Sequence, residues 1–544
     1  MKTCKQCQSS FEILDRDRQY YQKINVPEPT HCPACRTRRR FSYRNERNLY
    51  HRKCDLTGKQ IISMYPSGSP FPVYNQLDWL GDQWDGLKYG RDFDFSKPFF
   101  EQFKALQDAV PRVALLNLHG ENSQYCNFTG DVKNSYLIFG SVYSEDCYYG
   151  SPYYSKNCVD TLVLRECEEC YECVDCRKLY AGQFCQDCVN SDHLIFCYDM
   201  QSCSECIGCV GLRNKKFHIF NESYSEQEYF KKKKELNLSD SRQVALLRKR
   251  LADLKEKSAH RYMQSNNVEN VSGGHVYNSK NTFYSFFADR CHDCSYSAQV
   301  VDLKDCYDNN YTEENELCYE YLGMYSTHSA FFSLFCRHTH NVYYCDHCIS
   351  SDYLFGCNGL RNKKYCILNK QYSKEEYEAL VPKIIEHMKR TGEFGEFMPM
   401  RHSPFAYNET VAQDYFPLTR EQALNWGCVW KDETEQKSYK GPHYQIPTNI
   451  RDVSDDITKE ILICETTGKP YKVIPQELSF YRKHGLPIPT RCPDQRHKDR
   501  LALRNPYKLW DRECSQCKKA IQTNYAPDRP EKVYCEECFL KEIY

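Results

Sequence analysis

The chain has 544 residues, with 73 Lys and Arg balanced by 73 Asp and Glu, and it contains 34 cysteines. The balanced charge excludes a global field that would draw the protein to nucleic acid or to a membrane, so any such attraction must come from local patches. No run of about 18 apolar residues is present to span a membrane, and the first residues lack the apolar segment of a secretory signal. We therefore expect a cytoplasmic protein whose reduced thiols are metal ligands or small buried hydrophobes.

The two ends of the chain are copies of one module, because residues 4–78 and 464–538 align without a gap at an offset of 460. Each copy keeps one of two possible four-thiolate sites. The first site is Cys4, Cys7, Cys32 and Cys35, which become Cys464, Thr467, Cys492 and Gln495 in the second copy. The second site is Cys514, Cys517, Cys535 and Cys538, which replace Cys54, Thr57, Asn75 and Asp78 of the first copy. Two Cys-x2-Cys pairs supply the tetrahedral ligands that zinc prefers, so we predict one structural Zn²⁺ in each module, residues 1–78 and 459–544.

The first module also carries a recognisable pattern. It reads Cys4-x2-Cys7-x3-Phe11, then Tyr20-Tyr21-x-Lys23, Pro29 and Cys32-x2-Cys35-Arg36. Over residues 1–40 this resembles small bacterial zinc-ribbon or treble-clef domains, which implies a zinc-binding fold. The whole chain is similar to cysteine-rich zinc-ribbon proteins of small-genome candidate-phylum bacteria, a resemblance that implies no particular activity.

Between the modules, every third residue from Cys158 to Leu212 is small or apolar. An amphipathic helix would need a spacing of 3.6 and a flat strand a spacing of 2. The strict period of three instead predicts a mainly β fold, a narrow β-solenoid in which one residue of each triplet faces a thin core. Similar segments recur at unequal intervals that are whole multiples of the triplet, which predicts turns that vary in length by whole triplets. Asp160, Asp175, Asn190 and Gly208 precede inward positions, where they would tolerate left-handed backbone.

The solenoid is predicted to occur twice. The segment Cys209–Lys216 recurs as Cys357–Lys364, and the offset of 147 to 148 positions indicates an internal duplication. We expect the two halves at residues 113–224 and 263–371. The Cys167-x2-Cys170-x2-Cys173-x2-Cys176 run also allows an iron–sulfur cluster or a further zinc ion, but no Cys-Pro follows it, and buried thiols are the favoured interpretation.

Helices are expected to flank and cap the solenoid halves. A helix beginning at Ser96 and stopped by Pro111 lies in the aromatic segment 79–112. Capping boxes at Ser225 and Ser373 open a helical insert, residues 225–262, and a helix in residues 372–391. Residues 392–458 are predicted to form an extended strap with a short helix from Thr419. The helices would cover the unpaired strand edges at the solenoid ends.

One basic and aromatic cluster follows directly on a zinc ligand. Residues 1–60 hold 14 Lys and Arg against 6 Asp and Glu. The candidate nucleic-acid-binding residues are Arg36, Arg38, Arg39, Arg40, Phe41, Tyr43 and Arg44. Such a cluster suits phosphate contact and base stacking. The alternative is contact with an acidic part of the same chain, such as residues 139–210, which hold 12 acids and 4 bases.

No phosphate-binding glycine loop, nucleophilic serine turn or His-Glu-x-x-His motif occurs, so no catalytic residues are predicted. The leading hypothesis is a non-enzymatic, zinc-stabilised scaffold that contacts RNA or a ribonucleoprotein through its zinc modules. A second hypothesis is a protein-binding scaffold that uses aromatic solenoid faces. A third is a metal- or thiol-dependent redox enzyme.

Overall fold

The structure is a computed structural model that describes residues 1–432 and 443–543. The chain is mainly β, with 32% of residues in strands and 25% in helices. No helix within the described residues is both long and apolar enough to cross a membrane.

The N-terminal module, residues 1–78, consists of short strands and helices. They are β1 (Lys2–Thr3), β2 (Ser10–Phe11), α1 (Asp15–Lys23), α2 (Pro33–Phe41), β3 (Tyr50–Lys53), β4 (Gln60–Ser63), β5 (Val73–Tyr74) and α3 (Gln76–Leu80). Strands β1 and β2, and β3 and β4, form antiparallel pairs. The predicted helix of the following segment is confirmed as α4 (Phe99–Ala109), although its first turn follows Pro98 rather than Ser96. β6 (Arg112–Val113) then pairs in parallel with β5.

The first ladder, residues 117–223, is a stack of short parallel strands closed by one antiparallel strand. They are β7 (Asn117–Leu118), β8 (Asn127–Gly130), β9 (Tyr136–Val142), β10 (Tyr148–Gly150), β11 (Pro152–Tyr153), β12 (Leu164–Arg165), β13 (Arg177–Tyr180), β14 (Val189–Ile195), β15 (Ser204–Ile207), β16 (Lys216–Ile219) and β17 (Glu222–Ser223). Two helices follow it, α5 (Glu226–Glu235) and α6 (Ser241–Lys257), and then β18 (Ala259–Arg261). The predicted capping box of Ser225 and Glu228 opens α5.

The second ladder, residues 265–371, repeats this arrangement. Its strands are β19 (Ser265–Asp289), β20 (His292–Ser295), β21 (Ala298–Lys304), β22 (Tyr307–Glu316), β23 (Tyr319–Phe331), β24 (His340–Tyr343), β25 (Asp352–Phe355), β26 (Lys364–Ile367) and β27 (Lys370–Gln371). The long strand β19 pairs with both β20 and β21, and β22 pairs with both of these as well. These four strands therefore close a small barrel.

The remaining elements lead into the C-terminal module. They are α7 (Lys374–Arg390), α8 (Val411–Tyr415), α9 (Arg420–Asn425), β28 (Leu462–Ile463), β29 (Pro470–Tyr471), α10 (Pro475–His484), α11 (Pro493–Leu501), β30 (Trp510–Glu513), β31 (Ala520–Thr523), β32 (Lys532–Tyr534) and α12 (Glu536–Ile543). The predicted capping box at Ser373 opens α7, and the short helix predicted from Thr419 is α9, which a capping box also opens. Of the predicted strap, residues 433–442 lie outside the described residues.

The register within both ladders differs from the expected one. In the first ladder Asn117 pairs with Thr129, and in the second Lys304 pairs with Glu316. In both ladders, paired residues are separated by the same number of positions along the chain. This separation recurs in other strand pairs of each ladder. The prediction that turns vary in length by whole triplets is therefore wrong. Every triplet has an inward residue of similar character, so the recurrence of particular residue types did not mark the turn length.

The period of three itself has a clear backbone basis. The residue before each inward position adopts positive φ, as at Asp160 (φ 56°), Asp175 (φ 55°) and Asn190 (φ 49°). Each left-handed residue turns the chain, so that the next side chain points inward. The predicted burial of the ladder thiols is confirmed, because Cys173, Cys188 and Cys206 are all inaccessible to solvent.

Candidate metal centres and the buried basic residues

The first quartet of cysteines converges as predicted. The Sγ atoms of Cys4, Cys7, Cys32 and Cys35 all lie within 4.8 Å of one another. Gln8 adopts positive φ, and its backbone N–H donates to Cys4 O at 3.0 Å, which folds the first pair of thiols into a tight turn. Cys32 is the N-cap of α2 and Cys35 lies in its first turn, where the helix dipole favours thiolate. A hydrogen bond from the Cys35 thiol is the main cause that lowers the pKa of Cys32 to about 5.

The second quartet has the same design. The Sγ atoms of Cys514, Cys517, Cys535 and Cys538 also lie within 4.8 Å of one another. Burial raises the pKa of Cys514, but hydrogen bonds from the backbone N–H groups of Cys517 and Cys535 outweigh it and bring this pKa to about 6. Four thiols with a stabilised thiolate among them are the ligand set of a structural metal site.

The spacing of the sulfur atoms fits a zinc ion. A tetrahedron with Zn–S bonds of about 2.3 Å has edges of about 3.8 Å. Cys7 Sγ lies 3.7 Å from Cys32 Sγ, and Cys517 Sγ lies 3.7 Å from Cys535 Sγ. Each quartet is therefore suited to one Zn²⁺, which would tie together the turn and the helix that supply its ligands.

In the two degenerate sites, which lack a full set of metal ligands, hydrogen bonds hold the loops in place. In the N-terminal copy the backbone N–H of Asn75 donates to Cys54 Sγ at 3.3 Å, and Cys54 Sγ lies 3.6 Å from Asp78 Oδ2. In the C-terminal copy the Thr467 hydroxyl lies 3.9 Å from Cys492 Sγ. The shared module fold thus persists where thiolates have been replaced.

Most of the basic residues after Cys35 are buried, whereas the nucleic-acid hypothesis requires them on the surface. Arg36, Arg39, Arg40, Phe41, Tyr43 and Arg44 are all at most 6% exposed. Arg36 Nε donates to both carboxylate oxygens of Asp308 at 2.9 Å, and Arg39 Nη2 donates to Glu320 at 2.9 Å. Arg40 reaches both acids, with Nη2 lying 3.1 Å from Asp308 Oδ1.

The structure therefore corrects the assignment of these side chains to nucleic-acid contact, because they are paired within the chain. The alternative interpretation, contact with an acidic part of the same chain, describes them. The partner surface differs from the expected one, since Asp308 and Glu320 lie in the second ladder and not in residues 139–210. The remaining cluster members pack inside as well: Tyr43 donates to Pro399 O at 2.6 Å, and Arg44 lies 3.9 Å from the ring of Phe128.

The C-terminal module repeats these contacts on the other ladder. Arg496 and Arg500, at 460 positions after Arg36 and Arg40, both pair with Asp160, which lies 148 positions before Asp308. The distance from Arg500 Nη1 to Asp160 Oδ1 is 2.9 Å. We call these two sets of buried ion pairs the crossed clamps, because each module grips the ladder of the opposite half of the chain.

Hydrogen bonds from the ladders complete the crossed clamps. Tyr296 of the second ladder donates to Asp17 at 2.8 Å, and Tyr149 of the first donates to Glu477 at 2.9 Å. These pairs are related by offsets of 460 and 147 positions, so the arrangement has internal pseudo-twofold symmetry. Both duplications seen in the sequence therefore belong to one symmetric assembly.

Arg38 is the exception among the predicted basic residues, because it remains partly exposed. Its guanidinium lies 4.7 Å from the ring of Trp426. Both residues line a cavity of ≈ 430 Å³ together with Lys5 and Arg401. This cavity combines the positive charge of Arg38 and Arg401 with an aromatic surface, and its lining also includes Glu393 and Glu396, the latter of which pairs with Lys5.

A third convergent group was not identified from the sequence. One ligand atom each of Asp175, Asp187 and His275 lies within 4.8 Å of the others. In the sequence, the one indication of this group was that the two aspartates are separated by one turn of the ladder. No sequence feature near them points to His275. Among the described residues, the Cys167–Cys176 run is not a group whose ligand atoms all lie within 4.8 Å of one another.

Comparisons with known proteins supply no family. No protein-family model matches the chain, and no curated protein matches it in sequence. Of 6 solved chains with some similarity, one is a protein assigned as an acetyltransferase from Desulfovibrio desulfuricans G20, which is 10% identical with a TM-score of 0.13. The match covers 44% of this chain and 65% of that one, just under two thirds of its length. So low a TM-score supports neither a shared fold nor a shared activity.

Proposed function

We propose that the protein is a non-enzymatic, zinc-stabilised binding scaffold of the cytoplasm, built on two narrow β-solenoids with short turns of regular length. The crossed clamps carry this proposal. In them, charged residues of both zinc modules form buried ion pairs with the ladders. These residues therefore make the arrangement of modules and ladders rigid. In the N-terminal module a structural Zn²⁺ would hold α2 in the orientation that aligns Arg36 with Asp308, whereas α11, which carries Arg496, follows Cys492 of the degenerate site.

Zinc removal tests the scaffold role. The full-length protein is treated with a chelator, and thermal unfolding and near-ultraviolet circular dichroism are followed before and after Zn²⁺ is returned. We expect loss of the near-ultraviolet signal and a lower Tm, both restored by Zn²⁺. A protein whose stability and tertiary signal are unchanged without zinc would contradict the proposal.

For the ligand, we propose RNA or a ribonucleoprotein, bound at the ≈ 430 Å³ cavity. The support is chemical: Arg38 and Arg401 can contact phosphate, and Trp426 can stack on a base. Filter binding of single-stranded RNA at several salt concentrations tests this. We expect the double variant Arg38→Ala, Arg401→Ala to bind more weakly and with a smaller salt slope.

A control of equal charge change is available on α5, where Lys231 and Lys234 are exposed. The double variant Lys231→Ala, Lys234→Ala should bind RNA like the natural protein. Equal loss in both double variants would indicate a nonspecific charge effect and would count against the cavity.

A protein partner is the second candidate, and one observation favours it. Tyr143 and Tyr154 on the first ladder are 57% and 43% exposed, and their rings stack at 5.2 Å. Exposed aromatic surface of this kind is typical of interfaces. If a defined protein co-purifies, and is lost on changing both tyrosines to Ser while Arg38→Ala retains it, this candidate replaces RNA.

A further inference from the structure

The group of Asp175, Asp187 and His275 lies between the two ladders and is shared by both. Asp175 and Asp187 follow the paired residues Val174 and Gln186 on successive turns of the first ladder, and His275 lies on β19 of the second. The aspartates are only 4% and 8% exposed. His275 Nε2 lies 2.7 Å from Asp187 Oδ1.

One atom of this group has no partner. Arg504 Nε donates to Asp175 Oδ2 at 3.0 Å, but Asp175 Oδ1 is buried without any hydrogen-bond partner among the described residues. A buried carboxylate oxygen left without a donor is costly, because it loses its hydration and gains nothing in return. An ion placed between Asp175, Asp187 and His275 would supply the missing interaction.

In the other half of the pseudo-twofold arrangement, the equivalent positions carry neither carboxylates nor an imidazole, and Arg44, the counterpart of Arg504, pairs with Glu46 of its own module. At the positions equivalent to Asp175 and Asp187 in the second ladder, the chain has Gly323 and Phe335. The equivalent of His275 in the first ladder is Phe128.

The apolar copy forms the same contacts with different chemistry. The rings of Phe128 and Phe335 pack 5.3 Å apart where His275 meets Asp187, and Arg44 lies over Phe128. In one half, the equivalent position between the two ladders is therefore held together without carboxylates or an imidazole. Left-handed backbone accounts for Asp at these sites, but it does not account for burial of two carboxylates beside an imidazole.

We propose that His275 Nε2, a carboxylate oxygen of Asp187 and Asp175 Oδ1 bind a divalent transition-metal ion, Mn²⁺, Fe²⁺ or Zn²⁺, between the two ladders. Two carboxylates and one imidazole suit this class, since carboxylates favour Mn²⁺ and imidazole favours Zn²⁺ and iron. Asp175 and His275 line a cavity of ≈ 200 Å³, and Asp187 lines one of ≈ 290 Å³. The site therefore borders two cavities with room for water beside the ion.

Binding of Mn²⁺ to the full-length, zinc-loaded protein tests the proposal. The thiolate quartets stay filled with Zn²⁺, and free Mn²⁺ is measured by electron paramagnetic resonance during a titration. We expect one Mn²⁺ per chain to bind, with a rise in Tm. In His275→Gln and in Asp175→Asn the affinity should fall by more than ~100-fold, beyond the effect of merely disturbing a ligand's support.

Two further variants make the outcome decisive. Asp302→Asn changes a partly exposed carboxylate of the second ladder that pairs with Arg290 at 2.6 Å, so this variant should bind Mn²⁺ normally. The triple variant Asp175→Gly, Asp187→Phe, His275→Phe copies the apolar site, so it should fold and retain both zinc ions while losing Mn²⁺. Absence of Mn²⁺ binding and of a third Zn²⁺ in the natural protein would overturn the proposal, as would undiminished binding in the folded triple variant.

Discussion

Arg36 and Asp308 form a buried ion pair between parts of the chain that are 272 positions apart, with Nε lying 2.9 Å from each carboxylate oxygen. Arg36 follows directly on the zinc ligand Cys35, and Asp308 belongs to β22 of the second ladder. The metal site and the ladder are thus connected through adjacent residues. Since neither charge is exposed, the loss of one partner leaves the other buried and unpaired.

Asp308→Asn should therefore lower the free energy of unfolding by about 3–5 kcal/mol, as measured by urea denaturation. Asp160→Asn, its symmetric equivalent, should cost a similar amount. The matched control is Asp302→Asn, whose pair with Arg290 is 37% and 45% exposed and which should cost no more than about 1 kcal/mol. Equal losses of unfolding free energy in Asp302→Asn and Asp308→Asn would show that the buried pair contributes no more stability than the exposed one.

Loss of a zinc ligand should remove one metal ion and no more. Cys514→Ser is expected to lower the zinc content from two ions to one per chain and to destabilise the C-terminal module, because structural zinc contributes on the order of 10–16 kcal/mol of binding free energy. Elemental analysis of the purified protein measures this. Cys464→Ser, in the degenerate site of the same module, is the control and should keep both ions. A Cys514→Ser protein that retained both would rule out this quartet as a ligand set.

The thin core of the first ladder should resist added volume at Gly182. A methyl group there would lie 2.8 Å from Leu179 Cγ and 3.4 Å from Cys173 Sγ. Gly182→Ala should therefore destabilise the protein by about 1–3 kcal/mol through overpacking. Gly130→Ala is the comparison, because its methyl group would meet only Val142 at 3.6 Å. Chemical denaturation measures the free energy of unfolding of both variants. An unchanged value for Gly182→Ala would show that the core has room for the added methyl group.

Acid should weaken the fold through His260. Burial lowers the pKa of His260 to about 4, whereas the unfolded chain has a value of about 6.5. Below about pH 6.5 the unfolded state binds the extra proton, so stability falls as the pH drops from there towards 4. Between about pH 7.5 and about pH 5 the natural protein should lose on the order of 2 kcal/mol more than His260→Gln.

Comparing variants at each pH removes the effect of acid on the zinc sites, which all of them share. His340→Gln, an exposed histidine with its side chain 58% accessible, should follow the natural protein. If His260→Gln showed the full loss between the two pH values, another group would be responsible.

The local features of this fold could be predicted from the sequence because each has a local signature. The cysteine quartets, the capping boxes at Ser225 and Ser373, and the inward period of three all depend on residues close in the chain. The pairing of Arg36 with Asp308 has no such signature. It depends on how the two duplicated modules and the two duplicated ladders are arranged, and the sequence carries both duplications without their relative placement.

The crossed clamps have a consequence for synthesis on the ribosome. The first module emerges early, but the acid that pairs with Arg36 is made 272 residues later, which at about 5–20 residues per second takes roughly 15–50 s. During that interval a cluster of arginines and aromatic rings beside a metal site has no partner of its own. The nascent chain thus exposes, for that interval, a positively charged and aromatic surface that the finished protein buries.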